Sequence, residues 1–225
     1  MRLVRARPHP ALRDTVSAYA DFEERTGFPR ETREAAGGGV VVIVDLDTGW
    51  RVEGERFGSF VGGLYARPVV VRHEGSSRGV QFNLEPPAVR GLLGVPAGEL
   101  THRTVPLDAL LGADAARLAQ RLHAASSAEE RFAVLDDLLG RARSRAGPPA
   151  RPDVGRAWAQ LRASGGQMRI DALADTLGCS RRHLAKHFAH EVGVSPKVAA
   201  RPLRPGARPG RQRAARPPGR RPRLR

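Results

Sequence analysis

A serine followed by cationic residues at helical spacing is the pattern in this sequence that could carry chemistry. The residues are Ser180, Arg181, Arg182, Ala185 and Lys186. Long cationic side chains reach guanine acceptors or phosphate oxygens. Leu184 and Phe188 lie four residues apart, so a helix here turns both inward and the cationic residues outward. A charged outer face is also what an ordinary surface helix shows, and periodicity alone leaves that alternative open.

The residues around this helix predict how it is positioned. Asp171 is expected to cap a preceding helix through its carboxylate, and Gly178 suits the left-handed residue that ends that helix. Ser180 is expected to cap the second helix, and Gly193 to end it. Ser195-Pro196 then predicts a further helix, with serine as the cap and proline at the first helical position.

Two helices joined by a short glycine turn, the second of them basic, form a helix-turn-helix pattern. In such a motif the second helix lies in the major groove of DNA, with its N-terminal residues nearest the base edges. The sequence therefore predicts double-stranded DNA as a partner, and the segment 181–190 as the recognition helix.

The segment from Leu173 to Lys197 resembles the first helix-turn-helix of the AraC/XylS family of bacterial transcription regulators. The matching residues are Leu173, Ala174, Gly178, Ser180, Leu184, Phe188, Gly193, Ser195 and Pro196. In that family the second, fifth and sixth residues after the serine face the bases, which implies such a role for Arg182, Ala185 and Lys186. Family members commonly have arginine where Lys186 stands, and lysine lacks the bidentate fork of arginine. Ala185 offers only an apolar contact, for example to a thymine methyl group.

Short apolar runs predict a β-rich N-terminal domain. The run Val40 to Val44 indicates a strand that is buried on both faces. Further strands are expected over 50–52, 57–64, 69–72 and 79–84, separated by turn residues as in a β-sandwich or barrel. The spacing of apolar residues over 10–22 favours a short helix, with a bent strand as the alternative, and 31–39 is expected to be a loop.

From Pro86 the period changes to that of helices. Short helical pieces are expected over 88–93 and 107–111, and amphipathic helices over 113–123 and 128–142 predict a helical hairpin. The segment Gly79 to Gly112 resembles a sensor domain that precedes this DNA-binding module, a small cupin-like β-barrel. The resemblance, which covers about residues 8 to 201, implies a small-molecule effector and a homodimer formed through helices 113–142. Simple packing of that hairpin on the β-domain stays an equal alternative.

These patterns predict an α+β chain. A β-rich, cupin-like sensor domain with its helical hairpin is expected over 1–142, a linker over 143–152, an incomplete helix-turn-helix domain over 153–201, and a disordered Arg/Pro-rich tail over 202–225. The charge supports this division. Residues 1–150 hold 20 arginines and 19 acids, 151–200 hold eight basic residues and four acids, and 201–225 hold ten arginines and no acid.

The tail breaks the family pattern. The family's linker helix begins at Pro196, but Pro202 and Pro205 interrupt it, each at a cost of about 3 kcal/mol inside a helix. We expect disorder, and hypothesise that the reading frame shifts near Arg201, because GC-rich codons read out of frame give mostly Arg, Pro, Gly and Ala. The competing interpretation is a native arginine-rich arm that grips phosphates. Under either interpretation the family's second helix-turn-helix is not expected here.

No pattern in the sequence predicts catalysis. Cys179 is the only cysteine and fits a small, partly buried turn residue, and no histidine pair has the spacing that cupin enzymes use for a metal. The histidines are His9, His73, His102, His123, His183, His187 and His190. His73-Glu74 is expected in a solvated loop, and packing or a phosphate contact is expected for His183 and His187. No phosphate loop or GxSxG elbow occurs, so we expect no enzyme, cofactor or metal.

The sequence leaves two classes of function open. The first is a cytoplasmic, sequence-specific DNA-binding regulator with no membrane segment, whose effector pocket lies among residues Val40 to Leu84. The second is a small-molecule sensor or interaction fragment that binds nucleic acid only through charge. The two differ in whether binding depends on DNA sequence or only on salt.

Overall fold

A computed structural model gives the fold of residues 1–34, 39–65, 67–146 and 151–203. Strands dominate the N-terminal region and helices follow it, so the predicted α+β class is confirmed at this level. The strands of the described residues are β1 (Arg2–Ala6), β2 (Val16–Arg25), β3 (Arg30–Glu34), β4 (Val40–Asp45), β5 (Trp50–Val52), β6 (Glu55–Phe57), β7 (Phe60–Gly62), β8 (Val69–His73), β9 (Ser76–Leu84) and β10 (Thr104–Pro106).

The strands form two antiparallel sheets that face each other. The larger sheet has the order β1-β2-β9-β4-β7-β10, and the smaller has the order β3-β8-β5-β6. Strands β2 and β9 pair along most of their length, from Val16 opposite Leu84 to Arg25 opposite Ser76. Alternate side chains of a strand point to opposite faces. The larger sheet therefore presents one set of side chains to the smaller sheet and the other set to the helices.

The helices pack on the outer face of the larger sheet or follow it in the chain. They are α1 (Val89–Leu93), α2 (Leu107–Leu111), α3 (Ala113–Ala124), α4 (Ala128–Arg145), α5 (Pro152–Ala163), α6 (Ile170–Thr176), α7 (Arg181–Val192) and α8 (Pro196–Ala199). Short 3₁₀ helices cover Pro10–Leu12, Pro86–Ala88 and Ala97–Leu100.

Strand β4 shows how the N-terminal core is arranged. Val40, Val42 and Val44 are fully buried and belong to the core that the larger sheet shares with α1 to α4. Ile43 belongs to a smaller core between the two sheets. The strand is therefore buried on both faces, as predicted. Burial of each such side chain stabilises the fold by about 1.5–3 kcal/mol.

A buried ion pair joins α4 to the larger sheet. Arg131 of α4 is 1% exposed, Asp21 of β2 is 2% exposed, and their charged groups are in direct contact. Arg131 also donates from Nη1 to the carbonyl oxygen of Ala125 at 2.6 Å, and Arg2 donates to the second oxygen of Asp21 at 2.9 Å. These partners compensate charges that would otherwise cost several kcal/mol to bury.

Helices α5 to α8 form a second, separate core. Trp158 and Leu161 of α5 meet Leu173 of α6 and Leu184 and Phe188 of α7. The ring centroids of Trp158 and Phe188 lie 6.2 Å apart. The inward positions predicted for Leu184 and Phe188 of α7 are confirmed.

Most of the predicted strands are confirmed with shifted ends. The ranges 40–44, 50–52, 69–72 and 79–84 all lie in strands. The range 57–64 is divided between β6 and β7, because a bend at Gly58-Ser59 separates them. Strands β1 and β10 were not predicted.

Two predictions for the first forty residues are wrong. Over 10–22 only Pro10–Leu12 forms a helical turn, and Val16 starts β2, so the strand alternative is confirmed. The range 31–39 was expected to be a loop, but Arg30–Glu34 forms β3, paired only with β8 at the edge of the smaller sheet. Charged residues are normal on such an edge, where they discourage pairing with other chains. Residues 35–38 lie outside the described part of the chain.

The predicted linker also has a different start. Helix α4 continues to Arg145, so residues 143–145 of the predicted linker 143–152 are helical, and α5 begins at Pro152. Residues 147–150 lie outside the described residues. The predicted tail 202–225 also lies outside them, except for Pro202 and Leu203, which form a turn.

Candidate nucleic-acid interface and ligand cavity

Helix α7 begins and ends where the sequence predicts. The hydroxyl oxygen of Ser180 accepts a hydrogen bond from the backbone N–H of His183 at 3.1 Å. This bond satisfies one of the N–H groups that the first helical turn leaves free. Gly193 ends the helix at φ 97°, in the left-handed region that favours glycine.

The turn between α6 and α7 is closed by backbone hydrogen bonds. Gly178 has φ 66°, and its N–H donates to the carbonyl oxygen of Asp175 at 3.0 Å. The N–H of Cys179 donates to the carbonyl oxygen of Ala174 at 3.1 Å. Cys179 is partly buried, as expected for this turn.

Asp171 does not cap α6, so this prediction is wrong. The helix begins two residues earlier than a cap at Asp171 would allow, at Ile170, with Arg169 at the cap position and no side-chain capping bond. The carboxylate of Asp171 instead lies 2.8 Å from Nε of Arg181. An acidic residue in the first helical turn still interacts favourably with the helix dipole, and here it also holds an arginine of the next helix.

The remaining candidate residues lie on the outward face of α7. Arg182 and Lys186 are exposed, and residues four apart are neighbours on a helix surface. No acidic side chain of the described residues lies within ion-pair distance of either one. Ala185 is half-buried beside them. Arg181 is 72% exposed although it pairs with Asp171. The structure thus brings two unpaired cations and one small apolar side chain together.

Two histidines of α7 meet the start of α5. The ring centroids of His183 and His187 lie 4.3 Å apart, and Nη2 of Arg151 lies 3.4 Å from Nε2 of His183. Arg151 also donates two hydrogen bonds to Asp153, at 3.0 and 3.2 Å, and these bonds lower the pKa of that carboxyl. Desolvation, helped by the charge of Arg151, lowers the pKa of His187.

A cavity of about 610 Å³ lies between the two sheets. Its size falls in the range of small-molecule sites, roughly 300–1,000 Å³. Much of its wall is apolar and comes from both sheets: Phe22, Val41, Ile43, Trp50, Val52, Phe60, Val69 and Val71. The predicted range Val40 to Leu84 supplies part of the wall. Strands β1, β2, β3 and β10 supply the rest.

Charged groups meet at one part of the cavity wall. Glu24 pairs with Arg30 and also with His73, whose Nε2 lies 3.2 Å from the carboxylate. The backbone N–H of Gly75 donates to Nδ1 of His73 at 3.3 Å, and Nε2 of the same ring faces Glu24. His73 is 3% exposed. The predicted solvated loop is therefore wrong for His73, because it ends β8 with its side chain facing the cavity.

Neutral polar groups line another part of the wall. The side-chain amide of Gln81 donates to Asn83 at 2.9 Å, and the hydroxyls of Tyr65 and Thr104 lie 2.8 Å apart. The cavity therefore offers hydrogen-bonding groups beside apolar surface. This combination suits a small molecule with both kinds of surface.

Strand β9 leads from this cavity directly to the C-terminal helices. Asn83 lines the cavity, and Glu85, two residues later, is 4% exposed. One carboxylate oxygen of Glu85 accepts a hydrogen bond from Nε1 of Trp158 at 2.6 Å, and the other pairs with Arg162. Both partners lie on α5.

A second contact holds the C-terminal end of α7. Arg90 of α1 donates two hydrogen bonds to Glu191, at 2.9 and 3.1 Å. Gly98 lies so close to α7 that a Cβ there would be 2.1 Å from the carbonyl oxygen of His190. The sequence did not single out Glu85, Arg90 or Glu191. Their partners lie 73 or more residues away in the chain, where no local pattern reveals them.

Other kinds of site were also sought in the described residues. No group of three or more His, Cys, Asp or Glu side chains there is arranged to hold a metal ion. No helix in that part of the chain combines the length and the apolar character that a membrane span requires. No protein-family model matches the chain, and no curated protein or solved structure matches it either.

Proposed function

We propose that the chain is a sequence-specific DNA-binding transcription regulator of the AraC/XylS type. In this proposal α6, the glycine turn and α7 form a helix-turn-helix, and α7 enters the major groove. One observation carries the proposal. Arg182 and Lys186 are exposed on one face of a capped helix and have no ion-pair partner among the described residues, and the opposite face is fixed by the buried Leu184 and Phe188.

Each residue of the candidate interface has its own role in this proposal. Arg182 reads a guanine through two hydrogen bonds, and Ala185 contacts a thymine methyl group. Lys186 contributes a point charge to a base acceptor or a phosphate. Ser180 positions the start of the helix, and Arg181, tied to α6, contacts the phosphate backbone.

The N-terminal region would be the regulatory part of the same protein. We propose that it is a cupin-like sensor whose cavity takes a small-molecule effector with apolar and hydrogen-bonding surface. The proposal includes a cytoplasmic location and a homodimer formed through helices α3 and α4. It includes no metal, no cofactor and no enzymatic step.

The test begins with selection of duplexes from a random pool by the full chain. Arg182→Ala should weaken binding to the selected duplex by about 1–3 kcal/mol and relax specificity at one base pair. Arg181→Ala should weaken binding less, and equally on selected and scrambled duplexes. Arg33→Ala is the matched control, because it removes one exposed arginine from β3 and should leave specificity intact.

Equal binding of the unchanged chain and Arg182→Ala would contradict the role of Arg182. A second candidate function is a sensor or interaction fragment that binds nucleic acid by charge alone. The observation behind it is the sequence of 201–225, which holds ten arginines and no acids. That candidate predicts no preference for the selected duplex over a scrambled one. Its affinity would also fall steeply with salt concentration.

A further inference from the structure

The contacts between the two cores form a continuous series of touching residues from the cavity wall to α7. We propose that the cavity is coupled to α7 through Glu85, so that filling the cavity changes how the C-terminal helices sit on the larger sheet. The effect on DNA affinity rests on the proposed function. The coupling between cavity and helices does not.

The first step is the strand that carries Glu85. Strand β9 is hydrogen-bonded on both sides, to β2 and to β4, so its cavity-facing and outward-facing residues move as one unit. Asn83 faces the cavity, and Leu84 is fully buried on the opposite side. The backbone N–H of Glu85 also donates to the carbonyl oxygen of Thr15 at 2.9 Å. A displacement of the wall at Asn83 therefore reaches Glu85.

The second step is the carboxylate of Glu85. A buried carboxylate that loses its donors incurs a large desolvation penalty. Trp158 and Arg162 are the donors, so α5 is constrained to follow Glu85. The indole ring of Trp158 in turn packs on Phe188 of α7. Glu85, Trp158 and Phe188 thus connect the end of β9 to the core of the proposed helix-turn-helix, and Arg162 strengthens the hold of Glu85 on α5.

The third step is the second contact, which also begins at the cavity. Gly63 lines the cavity, and a Cβ there would lie 1.7 Å from the carbonyl oxygen of Leu100. Leu100 ends the 3₁₀ helix that presses Gly98 against His190 of α7. The contact through Glu85 and the contact through Gly98 can therefore both be traced to residues of the cavity wall, Asn83 and Gly63. Arg182 lies towards the opposite end of α7. The contacts leave the candidate interface exposed and set its orientation.

The test fills the cavity with a removable group. Asn83→Cys is made in a Cys179→Ser, Trp50→Phe background, which leaves one cysteine and leaves Trp158 as the only tryptophan. Benzyl methanethiosulfonate transfers a benzylthio group to the new cysteine, with release of methanesulfinate, and dithiothreitol removes the group again. Loading should shift the fluorescence emission of Trp158. It should also change affinity for the selected duplex by about fivefold or more, the low end of typical allosteric coupling. Dithiothreitol should reverse both effects.

Two variants interrupt the route and one leaves it intact. Glu85→Gln removes the charge that holds Arg162. Arg162→Gln removes the same ion pair, but it changes a side chain that is 41% exposed. It therefore leaves the core unchanged and can be used if Glu85→Gln does not fold. Asp137→Asn is the matched control, since it removes a carboxylate from the exposed pairs of α4. Coupling should be weakened in Arg162→Gln, which keeps the hydrogen bond from Trp158 to Glu85, and should be unchanged in Asp137→Asn.

The outcomes separate this proposal from the proposed function. If loading changes neither Trp158 emission nor affinity, the coupling is overturned. If loading acts equally in Arg162→Gln and in its parent, the route through Glu85 is overturned. If emission responds but selection yields no preferred duplex, the coupling stands and the proposed function fails.

Discussion

Asp21 and Arg131 lie inside the protein at 2% and 1% exposure, and Glu85 lies at the junction of the two cores at 4%. Each of these charges is held by a partner from a distant part of the chain. Asp21 fixes α4 to the larger sheet, and Glu85 fixes α5 to the end of β9. A buried charge is stable only while its partner stays in place. These residues therefore specify how the elements are arranged.

The pair Asp21 and Arg131 can be tested by removing one partner or both. Asp21→Ala should lower the free energy of unfolding by about 3–5 kcal/mol, because it leaves the Arg131 charge buried and unpaired. Asp21→Leu combined with Arg131→Met should recover most of that loss. Urea unfolding followed by circular dichroism measures both. Asp114→Ala, in an exposed pair with Arg117, is the control and should change stability by less than about 1 kcal/mol. If the Asp21→Ala protein were as stable as this control, the buried ion pair would not be what fixes α4 to the larger sheet.

At the scale of elements, two left-handed glycines bound α7 on either side. Gly178 has φ 66° with nothing within 4 Å of an added Cβ, whereas a Cβ at Gly193 would lie 2.1 Å from Oγ1 of Thr101. Gly178→Ala should lower the free energy of unfolding only by the backbone strain of an alanine in this conformation, about 1–2 kcal/mol. Gly193→Ala should lower the free energy of unfolding by more than Gly178→Ala does, because the clash with Thr101 adds to the strain. Combining Gly193→Ala with Thr101→Ala should recover part of this additional loss. Thermal unfolding of the single and double variants checks this. Equal losses at the two glycines would exclude the close contact with Thr101.

The start of α5 should depend on pH through Asp153. Arg151 lowers the pKa of this carboxyl in the folded state. Its stabilising contribution is therefore fully present above the unfolded pKa of 3.8 and is lost as pH falls through the folded value. Asp153→Asn should be less stable than the unchanged chain at pH 7, and the difference should vanish in strong acid. Urea midpoints at the two pH values measure it. Asp175→Asn, which removes an exposed carboxylate of α6, is the control at pH 7 for the loss of one negative charge.

The same elements show how far the sequence could predict the structure. Helix α7 was predicted correctly because its cap, its apolar spacing and its terminal glycine are all local signals. Strand β3 was missed because its residues are polar and only pairing with β8 makes them a strand. The cavity was placed only in part, since β1 to β3 and β10 complete its wall. The contacts of His73, Glu85 and Arg90 were not foreseen, because they depend on packing between distant segments.

At the scale of the whole molecule, the two cores meet at the end of α7 that lies away from Arg182. Arg90 and Glu191 form the bidentate pair there, and Glu191 is 7% exposed. Thr101 adds a hydrogen bond to the carbonyl oxygen of Gly193 at 3.1 Å. This end of the helix is therefore held by the N-terminal core, while Arg182 near its other end is exposed.

An exchange of charges tests this arrangement without removing any side chain. Arg90→Glu and Glu191→Arg each place like charges together, so each alone should loosen the contact and let the C-terminal helices unfold before the N-terminal core. The double variant restores opposite charges and should restore a single thermal transition, with a coupling energy of about 0.5–3 kcal/mol. Differential scanning calorimetry resolves the transitions. Strictly additive effects of the two substitutions would mean that the pair does not hold the cores together. The junction would then depend on Glu85 and the apolar contacts alone.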